Sequence, residues 1–237
     1  MQQASGRTTD ATRVYLQLRS DILKGVVKPE EKLQIAAVAK RYRSGVNPVR
    51  EALNRLSSEG VVDRRDRRGF FVPPVSVADL KVLVKTRCWL EGRALVESIA
   101  NDEQEWEERI VIAFHRLMRK TQALRETVGD YVGDPDWEEL HRQFHLSLIA
   151  GCGSSWLIKY CNDMMDHAYR YRSISDRLDW VERNVETEHQ GIMDAAIERN
   201  ADLAVSRLCD HYTLTLRIIE KSIEDSLVRE DSLLAAD

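Results

Sequence analysis

Four of the six histidines in this sequence have a spacing that could bind a metal ion. His141 and His145 stand four residues apart in the stretch LHRQFHLSLIAGCG, so on a helix they would share one face. His189 and His211 each lie 11 residues from Asn200, where a turn between two antiparallel helices is expected. With a rise of about 1.5 Å per residue, both would lie ~16 Å from that turn and at the same level. Four imidazoles from three helices could therefore surround one divalent cation, with zinc or nickel as candidates.

The same residues allow other interpretations. His141 and His145 stand one position beyond the apolar stripe that includes Phe144 and Leu148, at the edge of the expected core. Four histidines that each form a separate hydrogen bond, or that contact a ligand directly without a metal, are the alternatives. A metallohydrolase is disfavoured, because Arg142 follows the first histidine where the HExxH motif of zinc proteases has its general-base glutamate.

Composition indicates a packed globular protein without a membrane span. The chain has 237 residues, of which 43% are hydrophobic, and it contains no apolar run of about 18 residues that could cross a bilayer. Its first residues lack the basic and apolar pattern of a secretory signal, so a cytoplasmic location and no membrane partner are expected. A zinc ribbon or a disulfide scaffold is disfavoured by the wide spacing of the four cysteines, which are Cys88, Cys152, Cys161 and Cys209.

The histidines belong to a long C-terminal segment in which the apolar spacing is helical throughout. We expect this segment, residues 75–229, to be an all-α bundle. Asp134, Ser154 and Asp176 stand at breaks in the pattern and are expected to be N-caps. The predicted helices cover residues 77–100, 103–127, 135–150, 154–173, 177–199 and 201–228, followed by a tail at 230–237.

The N-terminal segment has a different pattern. Three short amphipathic helices are predicted over residues 10–24, 32–43 and 46–59. Val61-Val62 and Phe70-Phe71-Val72 then indicate two strands on either side of a charged tip, a β-hairpin. This order is typical of a winged helix-turn-helix domain, here residues 10–74, after a disordered tail at 1–9. The predicted fold class is therefore mainly α, with the winged domain preceding the helical bundle.

The two segments also differ in charge. Residues 1–75 contain 15 basic and 8 acidic side chains, a balance of +7, whereas residues 76–237 contain 20 and 31, a balance of −11. This asymmetry is expected if only the first domain meets a polyanion, here double-stranded DNA. In a helix-turn-helix, the third helix and the turn before it meet the bases, while a basic wing suits phosphate or the minor groove. The candidates are Arg43 and Ser44 in the turn, Asn47, Arg50 and Arg55 on the helix, and Arg64, Arg65, Arg67 and Arg68 at the hairpin tip.

A resemblance to a known family strengthens the DNA-binding interpretation. The stretch RYRSGVNPVREALNRLSSEGVVDRRDRRGFFV resembles the winged-helix signature of the GntR family of bacterial transcription regulators, and the resemblance covers Asp10 to Val72. Family members commonly have arginine where Ala36 and Val46 stand here, so we expect a different operator and a shift of contacts toward Arg43, Arg50 and the wing. The positions that the resemblance implies for DNA contact are Ala36, Gly45, Val46, Asn47, Pro48, Arg50, Arg68 and Gly69.

The C-terminal segment resembles the ligand-binding domain of the FadR-like branch of that family, often called FCD. The similar stretches are RCWLE from Arg87, LHRQFHLSLIAGCGS, and EHQGIMDAAIERNAD from Glu188. In metal-binding members, three histidines that correspond to His145, His189 and His211 bind the ion together with an Asp or Asn, and His141 stands at that fourth position. Within the branch, the sequence looks most similar to carbon-starvation-induced (CsiR-type) regulators, whose effectors are small carboxylic acids.

The arginines of the bundle suggest how a carboxylic acid effector would be held. The resemblance places Arg87 at the effector side of the site, and Arg172 is a second candidate from a neighbouring helix. The resulting hypothesis is a homodimeric transcription regulator, since an operator with two half-sites needs two linked DNA-binding domains. Its bundle would bind a small carboxylate beside a metal ion and thereby change operator affinity, most commonly by relieving repression.

Overall fold

The computed structural model describes residues 8–101, 104–127, 133–175 and 183–234, which form two compact units that divide between Val75 and Ser76. The expected tails at 1–9 and 230–237 fall mostly outside these residues, although the last helix continues to Leu234. None of the described helices has the length and apolar character needed to cross a membrane.

The N-terminal unit contains three helices and a three-stranded antiparallel sheet, as expected for a winged helix-turn-helix. Its core is formed by α1 and α3, whose Leu18, Ile22, Leu53 and Leu56 are completely buried. The elements are α1 (Asp10–Leu23), β1 (Lys32–Leu33), α2 (Ile35–Arg41), α3 (Val46–Ser58), β2 (Asp63–Arg65) and β3 (Gly69–Phe71).

The sheet corrects two sequence predictions. Lys32 and Leu33 were expected to begin the second helix, but they form a short strand in which Lys32 pairs with Phe71. This pairing is long-range, so helical periodicity within the segment could not indicate it. The first hairpin strand begins at Asp63 and not at Val61, and the strand order is β1-β3-β2.

The C-terminal unit is helical throughout its described residues. Asp134 and Ser154 are confirmed as N-caps, because their side chains accept hydrogen bonds from Trp137 N and Leu157 N. The helices are α4 (Val77–Ala100), α5 (Gln104–Thr127), α6 (Pro135–Ile149), α7 (Ser155–Ile174), α8 (Val185–Ile197) and α9 (Ala201–Leu234).

The start of α8 is the largest difference from the sequence prediction. A helix from residue 177 was expected, but Arg183 and Asn184 are not helical, and the side chain of Asn184 caps α8 by accepting from Thr187 N. The expected cap Asp176 lies outside the described residues. Arg183 therefore precedes the helix, and its side chain is buried.

The packing of α4, α6, α8 and α9 places the histidines together. α4 contacts α9, α7, α6 and α8, and α8 packs along α9. The end of α6 is held by two contacts, since Trp106 Nε1 donates to Leu148 O at 3.2 Å and Asn101 Nδ2 donates to Gly151 O at 2.6 Å. A Cβ on Gly151 would lie 3.3 Å from Trp106 and 3.4 Å from Ser98, which favours the smallest residue at this position.

Candidate functional site

The four histidines predicted from their spacing meet at one buried point. His141 and His145 come from α6, His189 from α8 and His211 from α9, and one ring nitrogen of each lies within 4.8 Å of the others. The rings of His189 and His211 have centroids 4.6 Å apart, so their equal distance from the α8–α9 turn does place them at one level. All four are at most 6% exposed, and thus lie inside the core and not at its edge.

The two histidines of α6 face each other through the same ring atom. His145 Nε2 lies 3.1 Å from His141 Nε2. Two imidazole nitrogens on one tetrahedral zinc ion would be about 3.4 Å apart, given a zinc–nitrogen bond of about 2.05 Å. The ring of His141 stacks on Trp137, whose Nε1 donates to Thr121 Oγ1 at 2.8 Å, so its orientation is set by packing.

His189 has one partnered and one unpartnered nitrogen. Its Nδ1 lies 2.6 Å from Val185 O, and because a carbonyl only accepts, Nδ1 carries the proton. Its Nε2 is therefore unprotonated, and this buried atom has no hydrogen-bond partner among the described residues. A buried acceptor without a partner is costly, so this atom fits a ligand position for a cation.

His211 is held by an ion pair that lies behind it. Its Nδ1 is 2.8 Å from Glu188 Oε2, which also accepts from Arg183 Nη2 at 2.6 Å. Arg183 Nη2 also lies 3.0 Å from His211 Nδ1, but its two hydrogens are directed to Glu188 Oε2 and, at 3.1 Å, to His211 O. His211 Nδ1 therefore donates to Glu188, the carboxylate–histidine arrangement found behind many metal ligands.

Burial keeps the cluster neutral. Burial lowers the pKa of His189 to about 4, and it lowers the pKa values of the other three rings well below 6.5. Nearby positive charges, that of Arg172 among them, lower these pKa values further. Neutral imidazole is the form that binds a metal ion. At neutral pH, no proton would therefore compete with a cation for these rings.

The two arginines predicted to bind an effector are buried beside the cluster, each in an ion pair. Arg87 Nε donates to Glu91 Oε1 at 2.6 Å, and Arg172 Nη2 donates to Glu138 Oε2 at 2.6 Å. Burial, the largest single cause, lowers the pKa of Arg87, but the charges of Glu91 and Tyr212 and the hydrogen bond to Glu91 together raise it by more, so the guanidinium stays charged. The described bonds of both arginines use Nε and Nη2, which leaves the Nη1 donors for another acceptor.

Sequence reasoning missed the residues that support the histidines. Arg87 and Glu91 are four apart on a helix, a spacing that could have indicated their ion pair. No comparable spacing indicated an ion pair for Arg183, because this residue lay within a predicted helix. The missed residues are Glu91, Glu138, Arg183, Glu188 and Tyr212, which come from α4, α6, α8, α9 and the residues before α8.

The start of α3 is the exposed feature of the N-terminal unit that suits DNA. Asn47 and Arg50 are exposed, and no described contact within residues 8–75 engages their side chains. The N-cap Gly45 provides no side-chain acceptor for the first turn, so backbone N–H groups there stay available to an anion. Arg55, a further candidate, lies instead over the ring of Tyr15 at 3.6 Å and pairs with Glu59.

The turn before α3 is held by the first helix. Arg13 Nη1 donates to Tyr42 O at 3.0 Å, and Ser44 Oγ donates to Asp10. Arg43 has a left-handed backbone conformation with φ 49°, and its side chain is exposed. Of the two turn candidates, Arg43 is thus accessible to DNA, while the hydroxyl of Ser44 is already engaged.

The wing arginines have two environments. The guanidinium of Arg65 lies 4.4 Å from the ring centroid of Phe71, and Arg68 is more distant from the same ring at 5.9 Å. Arg67 is exposed at the tip with φ 58°, and Gly69 has φ 93°, a conformation that favours glycine. Arg67 and Arg68 are therefore exposed at the tip, while Arg65 packs against the hairpin.

Both units match established protein families. The model of the gntR family of bacterial regulatory proteins matches residues 10–72, and that of the FCD domain matches residues 82–214. The transcriptional regulator BphR of Paraburkholderia xenovorans is 34% identical over 93% of this chain and 85% of its own length. The transcriptional repressor GlaR of Escherichia coli is 29% identical over 88% of this chain and 95% of its own length.

A solved structure has a similar fold. E. coli McbR/YncC has a TM-score of 0.71 at 18% identity, with 91% of this chain and 99% of that chain covered. The matches to the two family models confirm the family resemblance of the sequence for both units. The chain belongs to the GntR family of bacterial regulatory proteins, carries an FCD domain, and is a DNA-binding transcription regulator.

Proposed function

We propose that this regulator is a homodimeric cytoplasmic repressor whose C-terminal unit binds a divalent metal ion and a small carboxylic acid. The observation that carries the metal site is the buried, unpartnered Nε2 of His189, within 4.8 Å of three other imidazoles. Repression is proposed by analogy with the E. coli relative, which is named a transcriptional repressor. Ligand binding changes operator affinity if the ligand prefers one of two arrangements of the protein.

The donor set suits a borderline metal such as zinc or nickel. His141, His145, His189 and His211 would supply four neutral nitrogen ligands, the type that zinc and nickel accept. When bound, the ion would supply a localised positive charge that attracts an anionic effector. His141 stands where relatives were expected to have a carboxylate or amide, so this site lacks an anionic ligand of its own.

Charge balance favours a carboxylate as the effector. Three ion pairs surround the neutral histidines, and their charges sum to zero; they are Arg87–Glu91, Arg172–Glu138 and Arg183–Glu188. A divalent cation would add two uncompensated positive charges in a buried position, which is unfavourable without a counter-ion. The Nη1 donors of Arg87 and Arg172 could bind such an anion beside the ion.

The proposed dimer uses an aromatic face that α4 and α7 share. Val82, Trp89, Trp156 and Tyr160 are 63, 63, 70 and 51% exposed, and we call them the aromatic face. Tyr171 OH donates to Ser76 O at 3.3 Å and α7 packs against α4, so we infer that the two helices run antiparallel, with the first turns of α7 towards Trp89.

A second copy of the chain is the occupant that this face suits. Its flanking ion pairs, Arg93–Glu97 and Lys159–Asp163, carry both signs of charge, as a two-fold, self-complementary contact requires. Exposed apolar side chains in such a cluster are also typical of an interaction surface. Pairing through this face would link two DNA-binding units for an operator with two half-sites.

Two alternative functions would require different arrangements of the site residues. A metal-free sensor would keep a hydrogen bond between His141 and His145, which their 3.1 Å separation allows. A metallohydrolase would need a general base after the first histidine, but Arg142 stands there and pairs with Glu139 and Asn162. Metal analysis separates the first alternative from the proposal.

We expect His189→Ala to lose the bound metal, because it removes the unpartnered Nε2. Purified wild type should contain about one zinc or nickel ion per chain, and affinity should fall at least about 100-fold in the variant. Elemental analysis and calorimetric titration measure both quantities. His115→Ala, which removes an exposed histidine of α5, is the matched control and should bind metal normally. A metal-free wild type that takes up neither ion would refute the metal site.

We expect Arg172→Lys to weaken the response to the effector, because lysine keeps the charge but loses the paired donors. Operator affinity is measured by fluorescence anisotropy over a panel of small mono- and dicarboxylic acids. The acid concentration for half-response should rise about 10-fold, a loss of roughly 1.4 kcal/mol. Arg142→Lys, on the outer side of α6, should respond as wild type does. No response of the wild type to any acid would contradict carboxylate control.

We expect Arg50→Ala and Arg67→Ala to weaken DNA binding in different ways. Arg50 at the start of α3 should contribute to base recognition, so its loss should cost about 10- to 100-fold and relax sequence preference. Arg67 at the wing tip should act through phosphate, so its loss should reduce the salt dependence of binding. An operator selected from random duplexes serves as the probe. Arg55→Ala is the control, and an equal effect there would argue against the assignment of α3 contacts.

We expect Trp89→Glu to convert the dimer into a monomer, because it buries a charge in the centre of the aromatic face. Light scattering after size-exclusion chromatography should report about half the wild-type mass, and operator affinity should fall with it. Ile112→Glu, at an exposed apolar position of α5, is the matched control and should stay dimeric. A Trp89→Glu variant with unchanged mass would place the dimer interface elsewhere.

A further inference from the structure

A buried hydrogen-bond chain connects α4 to the histidine cluster through Tyr212. The Tyr212 hydroxyl donates to Glu91 Oε2, and its oxygen lies 3.1 Å from His145 Nδ1. Glu91 is 1% exposed and also accepts from Arg87 Nε at 2.6 Å. The Arg87 guanidinium lies 3.9 Å from the centroid of the Tyr212 ring, so the ring is held from α4 by both a hydrogen bond and a cation–π contact.

The direction of these hydrogen bonds determines the tautomer of His145. A phenol has one hydrogen, and an ionised carboxylate only accepts, so the hydrogen of Tyr212 is directed to Glu91. The contact with His145 then forms only if Nδ1–H donates to the phenol oxygen. The proton of the neutral ring is thus on Nδ1, and Nε2 keeps its lone pair on the side that faces His141.

His145 differs in this respect from the other two histidines whose Nδ1 is partnered. His189 donates to the carbonyl of Val185, and His211 donates to the carboxylate of Glu188, and neither acceptor can donate in return. A tyrosine hydroxyl can do either. Without Glu91 it could donate to Nδ1 and leave the proton on Nε2, which would block that atom as a ligand.

We propose that Tyr212 is a positioning residue of the metal centre. Its hydroxyl is oriented by Glu91 and holds His145 as the Nδ1–H tautomer, so that Nε2 is free to bind the ion. This inference rests on the proposed metal site and assigns the tyrosine a role beyond packing. Partners behind a metal-bound histidine commonly change metal affinity about 10- to 100-fold when they are removed.

Tyr212→Phe tests this role, because it removes the hydroxyl and keeps the ring. We expect Co²⁺ to bind about 10- to 100-fold more weakly to the variant, measured by competition with a chelator, with a changed visible absorption spectrum. Tyr171→Phe removes a buried hydroxyl that donates to Ser76 O, and it is the matched control, expected to bind Co²⁺ within about twofold of wild type. Circular dichroism and thermal melting confirm that both variants fold.

Nitrogen-15 NMR of the metal-free wild type provides a second readout that needs no variant. We expect the His145 ring to be protonated on Nδ1 in the wild type and to show a mixture of tautomers in Tyr212→Phe. Unchanged affinity and spectrum in Tyr212→Phe, or a wild-type proton on Nε2, would overturn the role of Tyr212. A wild type that binds no Co²⁺, Zn²⁺ or Ni²⁺ would instead refute the metal site itself, while the wild-type tautomer still decides the hydrogen-bond arrangement.

Discussion

Burial of four imidazole rings around one point is the constraint on which the C-terminal unit depends. Each buried ring nitrogen needs a partner, since an unsatisfied polar atom costs roughly 1–3 kcal/mol. The Nδ1 atoms of three rings find acceptors in Val185 O, the Glu188 carboxylate and the Tyr212 hydroxyl. Because these acceptors come from α8 and α9, the histidines and their partners together fix how the helices pack around the cluster.

The acidic residues close to the cluster are neutralised by arginines from inside the same unit. Buried ion pairs add little net stability, but breaking one leaves an uncompensated charge that costs about 3–5 kcal/mol. The pair of Arg172 and Glu138 joins α7 to α6, and the pair of Arg183 and Glu188 joins the residue before the α8 N-cap to α8. The interior is thus charged yet balanced, and a cation would enter it most favourably together with an anion.

Arginine serves opposite purposes in the two units. In the C-terminal unit, Arg87 and Arg172 are buried and bonded to carboxylates, which sets their geometry. In the N-terminal unit, Arg43, Arg50 and Arg67 are exposed. Charges that meet DNA phosphates must be reachable from solvent, whereas charges that bind one small anion gain strength from burial. In the proposed function, the same residue type therefore meets a macromolecular partner in one unit and a small ligand in the other.

Features that depend on local order were determined by the sequence alone: helix periodicity, the N-cap Asp134, the shared face of His141 and His145, and the charge difference between the units. Features that depend on distant residues were decided by the tertiary structure. These include the strand at Lys32, which pairs with β3, and the burial of the Arg183 side chain, whose partners lie on α8 and α9. The burial and tautomers of the histidines belong to this second group, because their hydrogen-bond partners come from other helices, and periodicity within one segment contains no information about such contacts.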